Sequence, residues 1–99
     1  DVLRVENQLA MTRVLGDFGI NKEIVPPMAD ILSYARDASA AFIVLACDGV
    51  WDVMSNDDVA KFVTQRVDKH SLEEIASDLL DECLRRESTD NMSLYIIKV

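Results

Sequence analysis

The sequence predicts an α+β fold in which paired helices cover a mostly antiparallel sheet. Three observations carry that expectation: an uninterrupted apolar run from Ala41 to Cys47, two separately capped helical stripes after Ser55 and Ser71, and a β-rich segment from Met92 to Val99. Together with an extended segment before Ala41, they give the order strand, strand, helix, helix, strand.

The first elements are the least regular. Val2-Leu3-Arg4-Val5 has the composition of a short strand, Leu9 to Leu15 mixes periods, and Gly16-Asp17-Phe18-Gly19 interrupts any regular element. Pro26-Pro27 makes a second break and favours extended backbone before it. Met28 to Arg36 reads as a strand, with Ile31, Leu32 and Tyr34 supplying β-compatible bulk, and Asp37-Ala38-Ser39-Ala40 as a turn. Ala41 to Cys47 has the length of a strand buried on both faces, and it stops at Asp48-Gly49.

The helices announce themselves through caps. Ser55 precedes Asn56-Asp57-Asp58, a hydroxyl cap with an acidic first turn that suits the positive end of a helix dipole. Val59, Phe62, Val63 and Val67 then follow helical spacing. Ser71-Leu72-Glu73-Glu74 matches a capping box, and Leu72, Ile75, Ala76, Leu79, Leu80, Cys83 and Leu84 form one apolar stripe behind it. Arg85 and Arg86 suit the negative end of that helix, and His70, between the two caps, reads as a turn residue. Met92 to Val99 closes the series as a strand that could bury both faces. Three strands leave raw edges, so as read the sheet is incomplete.

Composition sets limits on function. Hydrophobic residues make up 49% and charged residues 28% of 99, a globular balance for one domain or a piece of one. The net charge of −8 opposes nucleic-acid binding, which draws its free energy from cations neutralising phosphates. No apolar run approaches the roughly 20 residues that span a bilayer, and no secretory signal is visible. The opening Asp1 in place of Met is read as a trimmed or excised product. Cys47 and Cys83 sit among apolar neighbours and read as free thiols in a reducing compartment, so the expected location is cytoplasmic, with the nucleus as the alternative.

The carboxylates carry the chemistry. Asp48 ends a buried strand, Asp52 lies four residues on, and Asp90-Asn91 precedes the last strand. If those strands are antiparallel neighbours, Asp48 and Asp90 fall at one edge of the sheet and Asp52 reaches it from the turn. Clustered carboxylates stay ionised only beside a cation, and Mg²⁺ or Mn²⁺ suits oxygen ligands where no Cys/His cluster favours zinc. On spacing alone, capping or turn aspartates explain the same residues.

Three strings add specificity. Phe42-Ile43-Val44-Leu45-Ala46-Cys47-Asp48-Gly49-Val50-Trp51-Asp52 and Ser88-Thr89-Asp90-Asn91-Met92-Ser93 resemble two signatures of the PPM, or type 2C, metal-dependent serine/threonine protein phosphatases. Leu9-Ala10-Met11-Thr12-Arg13-Val14-Leu15-Gly16-Asp17-Phe18 resembles the segment preceding that family's flap; the three stand in the family's order, and the resemblance runs essentially from Asp1 to Val99. The resemblance implies an α-β-β-α sandwich, two antiparallel sheets flanked by helix pairs, of which residues 1–99 are the C-terminal portion and the N-terminal portion is absent.

It also implies hydrolysis of phosphoserine and phosphothreonine in proteins by water bridged between two Mn²⁺ or Mg²⁺ ions. On matching positions Asp48 and Asp90 are ligands of the binuclear centre, Asp52 serves a possible third ion at a weaker site, Asn91 orients Asp90 or its surroundings, and Trp51 packs beneath the loop.

The family's Asp-Gly-His-Gly-Gly-type motif and phosphate-binding Arg are not in this sequence. The isolated chain is therefore expected to be inactive, and its partners are phosphoprotein substrates and either the missing N-terminal part of the same domain or a complementary chain. Arg13 and Lys22 could touch a phosphoprotein or close structural salt bridges. The alternative functional reading is a catalytically inactive fragment or a pseudophosphatase-like binding module.

Overall fold

A computed structural model describes residues 3–5, 8, 10–36 and 41–99. The chain divides into two compact units, Asp1–Ala35 and Arg36–Val99.

In the second unit the elements run β1 (Phe42–Ala46), α1 (Asp48–Trp51), α2 (Asn56–Thr64), α3 (Leu72–Arg85) and β2 (Leu94–Lys98). The two strands pair antiparallel, with Phe42 opposite Lys98 and Ala46 opposite Leu94. Phe42, Val44 and Ala46 on β1, with Leu94 and Ile96 on β2, pack against a core of Val50, Met54, Val59, Phe62, Val63, Ile75, Leu79 and Cys83. Helices therefore cover one face of an antiparallel sheet, as the sequence predicts.

The opposite face corrects the expectation that these strands are buried on both sides. Ile43 and Leu45 alternate outward, and their cross-strand partners Ile97 and Tyr95 join them in an exposed apolar patch. The residue choice suits burial on two faces, and the unit supplies a covering layer for only one.

Both helix caps form, in different ways. The Ser55 hydroxyl accepts the Asp58 amide while the Asp58 carboxylate accepts the Ser55 amide, a reciprocal box whose acidic partner is an aspartate. At Ser71 only half the expected box is present. The hydroxyl accepts the Glu74 amide, but the Glu74 carboxylate meets the Ser71 hydroxyl at 3.1 Å and His70 Nδ1 at 3.3 Å. A nearby imidazole and hydroxyl thus hold the carboxylate that would have reached back to the backbone, and they lower its pKa, His70 most.

The end of α3 is a Schellman turn: the Ser88 amide donates to the Cys83 carbonyl and the Glu87 amide to the Leu84 carbonyl. Glu87 takes the left-handed position that closes this motif, with φ +67°. Among the described residues, no helix is long and apolar enough to cross a membrane.

The first unit contains no helix or extended strand among its described residues; Val5 makes an isolated bridge. The strand expected over Met28 to Arg36 does not form, and Ile31, Leu32 and Tyr34 are exposed. β-compatible side chains do not make a strand without a backbone ladder to join. The turn expected at residues 37–40 lies outside the described residues. Gly16 and Asp17 both take positive φ, which explains the break read there. Lys22 donates to the Gly16 carbonyl and lies 5.4 Å from the Phe18 ring centroid. The amides of Ile24 and Val25 both donate to the Asn21 carbonyl. Arg13 pairs with Asp30 at 2.6 Å and donates to the Met28 carbonyl, so both cations make structural contacts.

Candidate metal-ligand loops

Because the strands are antiparallel, the end of β1 lies beside the start of β2, and the chain just outside that edge carries Asp48 and Asp90. Asp48 opens α1, directly after Cys47, and Asp90 lies on the segment that runs from α3 into β2. Cys47 ties the two stretches: its amide donates to the Ser93 carbonyl, its thiol accepts the Ser93 amide at 3.3 Å, and the thiol lies 3.4 Å from the Asn91 carbonyl. The Ser93 backbone N–H pulls the Cys47 thiol below its usual pKa, opposed by burial and assisted by the Gly49 and Val50 amides. Cys83, by contrast, is buried among apolar residues, and desolvation raises its pKa.

Gly49 is where the stretches come closest. A Cβ placed there would lie 2.7 Å from the Asn91 carbonyl oxygen, 2.9 Å from Met92 Cγ and 3.4 Å from Asp90 Cβ. Only a residue without a side chain admits this approach, so the glycine after Asp48 brings the Asp90 segment against it. Across the same gap, the Ser88 hydroxyl donates to the Gly49 carbonyl at 2.7 Å.

The Asp48 and Asp90 residues are both exposed. The Asn91 backbone amide donates to the Asp90 carboxylate at 2.8 Å, a main-chain contact that does not draw on the asparagine side chain. Asp52 caps α1 at its C-terminal end, one helical turn from Asp48, with its amide on the Asp48 carbonyl. Trp51, expected to pack beneath the loop, is instead exposed, and its indole N–H donates to the Ala46 carbonyl at 3.0 Å.

The donor chemistry fits a hard divalent cation as a partial set: exposed carboxylates, with no competing thiolate–imidazole cluster. Among the described residues, no three His, Cys, Asp or Glu side chains gather closely enough to hold an ion. An apolar groove of about 400 Å³ lies elsewhere, between Phe42 and Val44 of β1 and Val59 and Val63 of α2. None of the three aspartates lines it.

The model of one family, protein phosphatase 2C, matches residues 1–92. The chain belongs to the protein phosphatase 2C family. It is 36% identical to protein phosphatase 1B of Rattus norvegicus over 97% of the chain and 27% of that protein. To human protein phosphatase 1A it is 37% identical, over 97% of the chain and 28% of the relative. Human protein phosphatase 1B gives 35% identity, over 97% of the chain and 22% of the relative. The chain thus spans about a quarter of the length of the curated relatives it matches.

Two features of this site escape sequence reasoning. One is the Ser88–Gly49 bond, since nothing in the spacing pairs residues 39 positions apart. The other is the use of Cys47 to join the two stretches, although its place at the end of the apolar run pointed to the sheet edge.

Proposed function

We propose that this chain contributes Asp48 and Asp90 to the binuclear Mn²⁺ or Mg²⁺ centre of a phosphoserine/phosphothreonine protein phosphatase, with Asp52 at a weaker third-ion site. The observation that carries this reading is the close approach at Gly49, which seats the Asp90 segment against the residue after Asp48. Bound ions at such a site supply an activated water and neutralise charge on phosphoryl oxygens. The chain's own residues hold the ligands in place: the sheet end and Cys47 fix both segments, and the Asn91 amide aims the Asp90 carboxylate.

Two carboxylates under-coordinate a pair of ions, so the isolated chain binds Mn²⁺ weakly and lacks activity in this reading. Residues 1–99 form the C-terminal portion of one catalytic domain, whose remaining part covers the apolar face of Ile43, Leu45, Tyr95 and Ile97 to complete an α-β-β-α sandwich. That face, rather than any feature of a separate complementary chain, supports the assignment. The substrates are phosphoproteins and the location is cytoplasmic or nuclear.

In the full-length protein, Asp48→Ala or Asp90→Ala lowers Mn²⁺-dependent turnover of a phosphopeptide by about 100-fold or more, while circular dichroism shows an intact fold. Near-normal turnover of either variant at saturating Mn²⁺ rules the ligand assignment out.

A further inference from the structure

The bond between Ser88 and Gly49 has a specific place between the two candidate ligands. Gly49 follows Asp48 immediately, and Ser88 precedes Asp90 by two residues. Gly49 is buried, and the turn after α1 leaves its carbonyl without the helical partner that an interior residue would have. The Val53 and Met54 amides both donate to the Val50 carbonyl instead. The Ser88 hydroxyl supplies the acceptor's partner at 2.7 Å from the other segment. The remaining ties lie on either side of Ser88: Cys47 to Asn91 and Ser93 on the sheet side, and Arg86 to the Val53 carbonyl at 3.3 Å on the α3 side. Cys47 thus holds the segment just after Asp90, and Ser88 holds it just before. The Schellman turn sets the direction in which the chain leaves α3, and the first residue beyond its left-handed position is Ser88 itself.

We infer that Ser88 is a positioning residue for metal binding, whose hydroxyl sets the separation of Asp48 and Asp90 by locking the Asp90 segment to the Gly49 carbonyl. It touches neither ion nor substrate and acts through the two backbones. This inference rests on the metal-ligand reading of the two aspartates. Loss of contacts that orient ligands typically weakens metal affinity about 10- to 100-fold, because the ligands must then be gathered at binding.

The test uses the metal-free full-length protein titrated with Mn²⁺ by calorimetry, at a temperature where every variant is folded. Ser88→Ala weakens Mn²⁺ binding about tenfold. Ser88→Thr and Ser88→Val have nearly the same shape and differ in the hydroxyl, so Thr binds Mn²⁺ more tightly than Val even where Ala proves unstable. A merely structural role lowers the melting temperature of the metal-free protein for Ala and Val and leaves their Mn²⁺ affinity at the parental value, which overturns the inference. Equal Mn²⁺ affinity of Thr and Val also overturns it. Asp48→Ala in the same titration separates the two claims. If it loses Mn²⁺ while the Ser88 variants do not, only the role of Ser88 falls; if it binds like the parent, both claims fall.

Discussion

The two units of this chain contain similar kinds of apolar residue and use them differently. In Arg36–Val99, Ile75, Leu79 and Cys83 recur along one face of α3 and are fully buried with Val50 and Val63. In Asp1–Ala35, Leu3, Leu15, Phe18, Ile31 and Leu32 are almost wholly exposed, and Ile20 and Val25 alone among its described hydrophobics are buried. The contrast shows that apolar content becomes core only where its period matches an element and a second element faces it. The second unit supplies both conditions. The first is organised instead by turns and by polar contacts such as Arg13–Asp30, which at an exposed site contribute little stability.

The sharpest way to break this comparison is to truncate one leucine in each unit. Leu79→Ala removes a fully buried side chain and costs about 2–5 kcal/mol. Leu32→Ser, at a residue 94% exposed, stays within about 0.5 kcal/mol in the same 99-residue chain. Urea unfolding followed by fluorescence of Trp51, the one tryptophan, reads both. A Leu32→Ser cost approaching that of Leu79→Ala would mean that the first unit has a core of its own.

The same contrast explains what the sequence made legible. Helices α2 and α3 were readable because Ser55 and Ser71 mark their starts and the apolar stripes behind them are periodic, which are local signals. The two apolar runs, each adjoining a carboxylate, were legible as strands, but their pairing was only a condition in the sequence, and the structure supplies it. Met28 to Arg36 misled because side-chain bulk is local while a strand's partner is not. The outward face of β1 misled for a related reason: Ile43 and Leu45 suit a second buried face that this unit does not cover. The Ser88–Gly49 bond joins distant positions through a hydroxyl and a carbonyl, chemistry that leaves no periodic trace.

An intermediate effect is expected where close approach, rather than core volume, sets the structure. Gly49→Ala places a methyl group 2.7 Å from the Asn91 carbonyl oxygen and 2.9 Å from Met92 Cγ. Met92 can rotate away, but the carbonyl belongs to the backbone that positions Asp90. Alanine gains roughly 0.5–1 kcal/mol over glycine in a helix, and overpacking costs about 1–3 kcal/mol. The balance is a net loss of up to about 2.5 kcal/mol by urea unfolding. In the full-length protein the same substitution weakens Mn²⁺ binding, because the Asp90 segment has to move. A stabilised variant with parental Mn²⁺ affinity would show that the two segments approach less closely than the glycine geometry requires.

The smallest effect has the opposite sign. Glu87 has φ +67° at the end of α3, where a side chain crowds the backbone and a negative charge faces the negative end of the helix dipole. Glu87→Gly relieves both and stabilises by about 0.5–1 kcal/mol after the added freedom of the unfolded chain is subtracted. Glu87→Ala relieves only the charge, so its gain is smaller. Equal gains would assign the whole effect to charge, and the difference between the variants measures the cost of Cβ in the left-handed turn. Because the next residue is Ser88, that turn also fixes where the segment carrying Asp90 begins, and glycine there keeps the direction of the chain while removing its strain.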